Sequence, residues 1–105
     1  MILANLTKDA AGKLRAFEVN NHGESYVCAA VSVLVINTVN SIEALTAQEF
    51  DCAHDDEAGL VRFVVKGELD SGAELLLESL RLGLASIQEM YPHEFKMQES
   101  NWKEK

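Results

Sequence analysis

Positive charge is scarce in this sequence. Nine Lys and Arg stand against 17 Asp and Glu, a formal net charge of −8. A surface that binds duplex nucleic acid needs clustered cations to displace phosphate counterions. The nearest approach to a cluster is Lys96 with Lys103 and Lys105, spread through a polar segment. Nucleic acid and anionic membrane are therefore not expected as partners, while a cationic peptide or protein is electrostatically compatible. Proline occurs once, at Pro92, and the six glycines form no phosphate-cradling loop. Cysteine occurs twice, as Cys28 and Cys52, with no Cys-x-x-Cys pair. The first ten residues, MILANLTKDA, lack the basic start and apolar run of a secretory signal. Two thiols in a reducing cytoplasm are the expectation. The uncharged stretch from Tyr26 to Asn40 is shorter than the roughly 20 residues of a bilayer span. It contains Asn37 and Asn40, and it is expected to form a buried core helix.

What is present is enough for one core. Hydrophobic residues make up 48% of 105 residues, and a chain of this length buries roughly two thirds of its extended surface. Residues 2–7 (ILANLT) and 13–19 (KLRAFEV) read as two strands around a turn at Lys8–Gly12. Residues 26–45 are rich in Val and Ile, yet they run without Gly or Pro well past the roughly 3–10 residues of a strand, so a helix is expected. Ser25 is placed to cap it. Residues 48–54 put Phe50, Cys52 and His54 on one face, with Cys52 expected in the core and His54 at the strand end. An acidic turn, Asp55–Gly59, leads into residues 60–66, where Val61, Phe63 and Val65 share a face.

Ser71, Gly72, Ala73 and Glu74 match a capping box. The helix that follows to about Tyr91 carries Ala73, Leu76, Leu77, Leu80, Leu84, Ile87 and Tyr91 on one face. The expected domain spans residues 1–92, with 93–105 a polar, frayed tail in which His93 is exposed and Trp102 is an exposed aromatic with no assigned role. The fold class is α+β, a ββαββα sandwich of one antiparallel sheet and two helices. The first helix is too apolar for a single sheet face to cover, so a homodimer is expected.

One group of side chains carries chemistry. His22 lies in a polar loop, Cys28 falls in the first turn of the helix if Ser25 caps it, and Ser32 follows one turn later. A thiol attacks as the thiolate, and a helix N-terminus stabilises that charge. A neighbouring imidazole takes the proton, and unpaired N–H groups there suit a developing oxyanion. Against this stands the ordinary behaviour of cysteine as a small buried hydrophobe. Cys52 and His54, close to Asp55 and Asp56, offer two good metal ligands and no second pair to complete four, so no metal site is expected. No cofactor is implied either.

The stretch Asn21 to Leu45, with VCAAVS at Val27–Ser32 followed by Val39, Asn40 and Ile42, resembles the ribosomal-processing cysteine protease family, the Prp or YsxB-like proteins. The element order and length extend that resemblance over nearly the whole chain. The resemblance implies a homodimeric endopeptidase that removes the N-terminal extension of a large-subunit ribosomal protein before assembly. It implies Cys28 as nucleophile, His22 as general base and Ser32 as a supporting residue. Asn21, Gly23 and Ser25 would be loop contacts, and an apolar groove beside Cys28 would accept bulky aromatics. Asn21 stands where the family has glycine, Ser25 where it has an acid, and the interval from His22 to Cys28 is shorter than usual. That short loop motivates a second reading, a divergent or non-catalytic ribosome-associated dimeric binding module of the same fold.

Overall fold

The computed structural model describes residues 1–20, 25–55 and 59–102, with Ser25 described by its backbone alone. The elements are β1 (Ile2–Lys8), β2 (Leu14–Asn20), α1 (Ser25–Leu45), β3 (Glu49–Asp55), β4 (Leu60–Lys66), α2 (Ser71–Met90) and β5 (Phe95–Asn101). The fold is α+β, as expected. The sheet order is β3-β4-β2-β1-β5. The first four strands pair antiparallel, whereas β5 runs parallel to β1, so the sheet is mixed rather than purely antiparallel.

Local chemistry sets the first hairpin. The Asp9 carboxylate accepts N–H bonds from Ala11 (2.9 Å) and Lys13 (3.1 Å). Gly12 takes the left-handed conformation (φ 82°) that closes the turn without a Cβ clash. Beyond it, alternation commits Ile2, Ala4 and Leu6 of β1, Phe17 and Val19 of β2, and Phe63 and Val65 of β4 to one buried face. Register lines up Leu6, Phe17, Phe63 and Cys52 across four strands. The Phe17 and Phe63 rings stack with centroids 5.1 Å apart, and Phe50 tilts onto Phe63 at 4.9 Å.

Both helices cover that face. α2 contributes Ala73, Leu77, Leu80, Leu84 and Ile87, and α1 contributes Val27, Val31, Val35 and Ile42. The helices approach closely at Gly83, where an added Cβ would meet Leu34 at 3.0 Å. Tyr26 and Tyr91 pack edge to face at 5.8 Å where the start of α1 meets the end of α2. A buried amide holds the opposite end. Gln48 Nε2 donates to the carbonyls of Glu49, Lys66 and Glu68 at 2.8–3.2 Å, while its Oε1 accepts the Asp70 N–H at 2.7 Å.

Several expectations are corrected. The cap of α2 is Asp70, whose carboxylate accepts the N–H groups of Gly72 and Ala73, and not Ser71. Gln48 fixes the Asp70 backbone, which moves the cap one residue ahead of the sequence motif. α1 is less buried than expected: Tyr26, Val33, Ile36 and Leu45 are each more than half exposed. The span Tyr26–Leu45 is also long and apolar enough to cross a bilayer by length and composition, so the length argument against a span fails. Its valine stripe is instead built into the sheet's core.

The polar tail is the largest revision. Phe95–Asn101 forms β5, paired with β1 from Ile2↔Phe95 to Lys8↔Asn101. Phe95 is fully buried, the Met97 N–H reaches Gln88 Oε1 at 2.6 Å, and the Trp102 N–H reaches the Lys8 carbonyl at 2.6 Å. Trp102 also lies beneath the Arg15 guanidinium at 5.7 Å, a cation–π contact. Phe95→Ala is therefore expected to destabilise the protein by about 3–5 kcal/mol, as for other buried Phe truncations. The exposed neighbour change Lys96→Ala should stay within about 0.5 kcal/mol. Urea denaturation of the two variants checks this. Equal, small effects would mean that residues 95–101 do not form a stable strand.

Candidate active site

α1 presents two parallel stripes. The buried stripe is Val27, Val31, Val35, Thr38 and Ile42, and it faces the sheet. The second, offset by one residue or about 100° around the helix, is Cys28, Ser32, Ile36, Val39 and Glu43, and it lines a cleft with Val35 and Asn40. Thr38 adapts to the apolar side by donating its hydroxyl to the Leu34 carbonyl at 2.7 Å. Cys28 is half-buried in the first turn of α1, and Ser32 lies one turn further on the same stripe. No acidic residue occupies that first turn to oppose a developing thiolate.

The opposite wall belongs to β3 and the start of β4. Phe50, Asp51, Cys52, His54 and Asp55 line it, joined by Gly59, Leu60 and Val61. The cleft has a volume of about 930 Å³, large enough for several peptide side chains. Ile36, Val39, Phe50 and Val61 give it an apolar surface. Glu43, Asp51 and Asp55 add carboxylates, and no Lys or Arg is among its described lining residues. Asp51 shares its charge with Lys66 at 3.8 Å.

The structure thus brings Cys28 and Ser32 together, as expected. His22, Asn21 and Gly23, the general base and loop contacts of the sequence reading, lie outside the described residues, as does the Ser25 side chain. Cys52 is exposed on the cleft wall instead of packed in the core, because edge strand β3 is covered on its inner side only in part. His54 is at the strand end, as expected, and it lines the same cleft as Cys28. No group of three His, Cys, Asp or Glu side chains suited to a metal ion occurs among the described residues. Sequence reasoning missed the shared cleft. The alternation of Phe50, Cys52 and His54 was visible, but which helix stripe they oppose depends on how α1 is rotated.

Comparison with known proteins follows the same lines. The family profile described as "Cysteine protease Prp" matches residues 1–96. The ribosomal processing cysteine protease Prp of Staphylococcus aureus strain Mu50 is 26% identical over 103 residues, covering 92% of this chain and 97% of its own. The crystal structure of Prp from S. aureus with a covalently linked product peptide superposes with a TM-score of 0.89 at 26% identity, covering 95% of this chain and all of that one. The S. aureus Prp structure with a substrate peptide gives the same TM-score at 25% identity and the same coverage. A crystal structure from Streptococcus mutans gives a TM-score of 0.84 at 26% identity, covering 97% and 99%.

Partial burial raises the pKa of the Cys52 thiol above its ordinary value. Its reaction with iodoacetamide is expected to set in at higher pH than that of an unhindered model thiol, since the thiolate is the reacting form. Mass-resolved alkylation of Cys28→Ala, which leaves Cys52 as the only cysteine, measures this. Onset at or below the model thiol's pH would contradict its partial burial.

Proposed function

Because the chain belongs to the cysteine protease Prp family, we propose that this cysteine protease removes the N-terminal extension of a large-subunit ribosomal protein, with Cys28 and His22 as its catalytic pair. The observation that carries the proposal is the place of Cys28, in the first turn of a long helix and on the wall of a peptide-sized cleft. His22 takes the thiol proton, and the thiolate attacks the scissile carbonyl carbon. The C–N bond breaks as the imidazolium returns the proton to the leaving amine. A thioester to Cys28 remains, and water activated by His22 hydrolyses it to release the carboxylate and regenerate the thiol. Ser32, one turn beyond Cys28, supports the sulfur side of the site.

The substrate assignment is favoured by the S. aureus relative, named a ribosomal processing protease and solved with a substrate peptide. The apolar cleft surface of Ile36, Val39, Phe50 and Val61 suits bulky side chains beside the cut. Of the two readings of the fold, family membership favours the enzyme over the non-catalytic module. Exposed Tyr26 and Val33 on α1 and Leu75, Leu82 and Met90 on α2 suit a homodimer that buries part of this apolar area. The cytoplasm, where ribosomal proteins are made, is the proposed compartment.

Incubation with the extended ribosomal precursor, followed by intact mass measurement, tests the assignment. Wild-type protein is expected to release the N-terminal segment. Cys28→Ala should release none, and His22→Ala should be slower by about 10²–10⁴-fold, the usual range for a general base. Ser32→Ala should be affected less than His22→Ala. Cleavage that persists in Cys28→Ala would remove Cys28 from the mechanism.

A further inference from the structure

The cleft beside Cys28 has two unlike walls. α1 meets it with one stripe of side chains. β3 meets it with Phe50, Asp51, Cys52, His54 and Asp55, which include both odd and even positions. A strand that lines a space with its face shows only every second residue. Successive residues are seen when the strand borders that space along its edge. β3 is indeed the last strand of the sheet, hydrogen-bonded to β4 on one side only. Six of its seven residues are exposed, and among the described residues no strand pairs with its outer side. In such a strand alternate N–H and C=O groups point away from the sheet, and they form a template for another extended chain.

The identity of that chain follows from what shares the cleft. A segment laid between β3 and α1 passes along the wall that carries Cys28, so it is the segment whose carbonyl the thiol reaches. Its chemistry is set by the lining. Val39 and Phe50 suit apolar side chains, while the carboxylate of Glu43 suits positive charge. We infer that the substrate binds as an added strand on the outer edge of β3, its backbone extending the sheet and alternate side chains entering the cleft. This rests on the proteolytic role of Cys28. It adds a binding mode in which main-chain hydrogen bonds supply affinity and the cleft supplies selectivity.

The test uses a synthetic peptide that the wild-type protein cleaves, bound to Cys28→Ala so that it stays intact. Cys52 is then the sole cysteine and reports on the β3 wall. At a peptide concentration ten times the dissociation constant, alkylation of Cys52 by iodoacetamide should slow about tenfold. The peptide is next resynthesised with one backbone amide methylated at a time. Methylation at every second residue should weaken binding by up to about tenfold, the effect of losing one hydrogen bond, with the intervening positions within about twofold. Unchanged Cys52 alkylation at saturating peptide, or methylation effects without alternation, would overturn the added strand while leaving proteolysis intact. Peptide that binds only by dissociating a dimer would assign the edge to a second copy and likewise overturn it. A wild-type protein that cleaves no peptide would bring down the proteolytic role first, and the binding mode with it.

Discussion

The rotation of α1 about its own axis is the constraint on which the site depends. The helix buries Val27, Val31, Val35 and Ile42 against the sheet and leaves the adjacent stripe, Cys28 and Ser32 among it, facing the cleft. One residue of helical rotation, about 100°, separates a nucleophile beside peptide-sized space from a thiol sealed among aliphatic side chains. The valines hold the choice. Each is fully buried, and turning the helix would exchange Val27 and Val31 for Cys28 and Ser32, at a cost of roughly 1.5–3 kcal/mol for each valine brought into water.

That rotation is held at both ends by unlike interactions. At the start of α1, Tyr26 meets Tyr91 edge to face, tying the residues next to Cys28 to the end of α2. At its far end, Thr46 accepts the Gln48 N–H at 3.1 Å and donates its own hydroxyl to the Ile42 carbonyl at 2.7 Å. The Gln48 side chain then joins the starts of β3 and α2 to the end of β4. A buried amide with its donors and acceptor all engaged resists displacement, because any shift leaves a desolvated polar group without its bond. The cleft is therefore framed by fixed supports while its β3 wall stays an edge. That wall is tied to β4 by backbone pairing and, near its start, to the core by the contact of Phe50 with Phe63.

The sequence made much of this legible, for reasons particular to each element. Residues 60–66 are read correctly because Val61, Phe63 and Val65 fall on one face and Arg62, Val64 and Lys66 on the other, a period-two pattern no helix satisfies. α2 is legible because its apolar positions recur at helical spacing and Pro92 stops it. β5 was hidden. Its only fully buried side chain is Phe95, and the strand that makes it a strand, β1, lies more than ninety positions earlier in the chain. Parallel pairing of distant segments leaves no local signature, and FKMQESN on its own resembles a solvated tail.

For the site the same division holds. Composition and the VCAAVS segment by themselves determined that a cysteine would open a long apolar helix with a serine one turn later, because helix capping and periodicity are local properties of the chain. They could not determine what faces that cysteine. The cleft, its acidic and apolar lining, and the meeting of Cys28 with Cys52 and His54 across it arise only when a helix packs at one rotation over one edge of one sheet. Such contacts join residues far apart in the chain, and their energies are settled by the packing of the whole core rather than by any segment read alone.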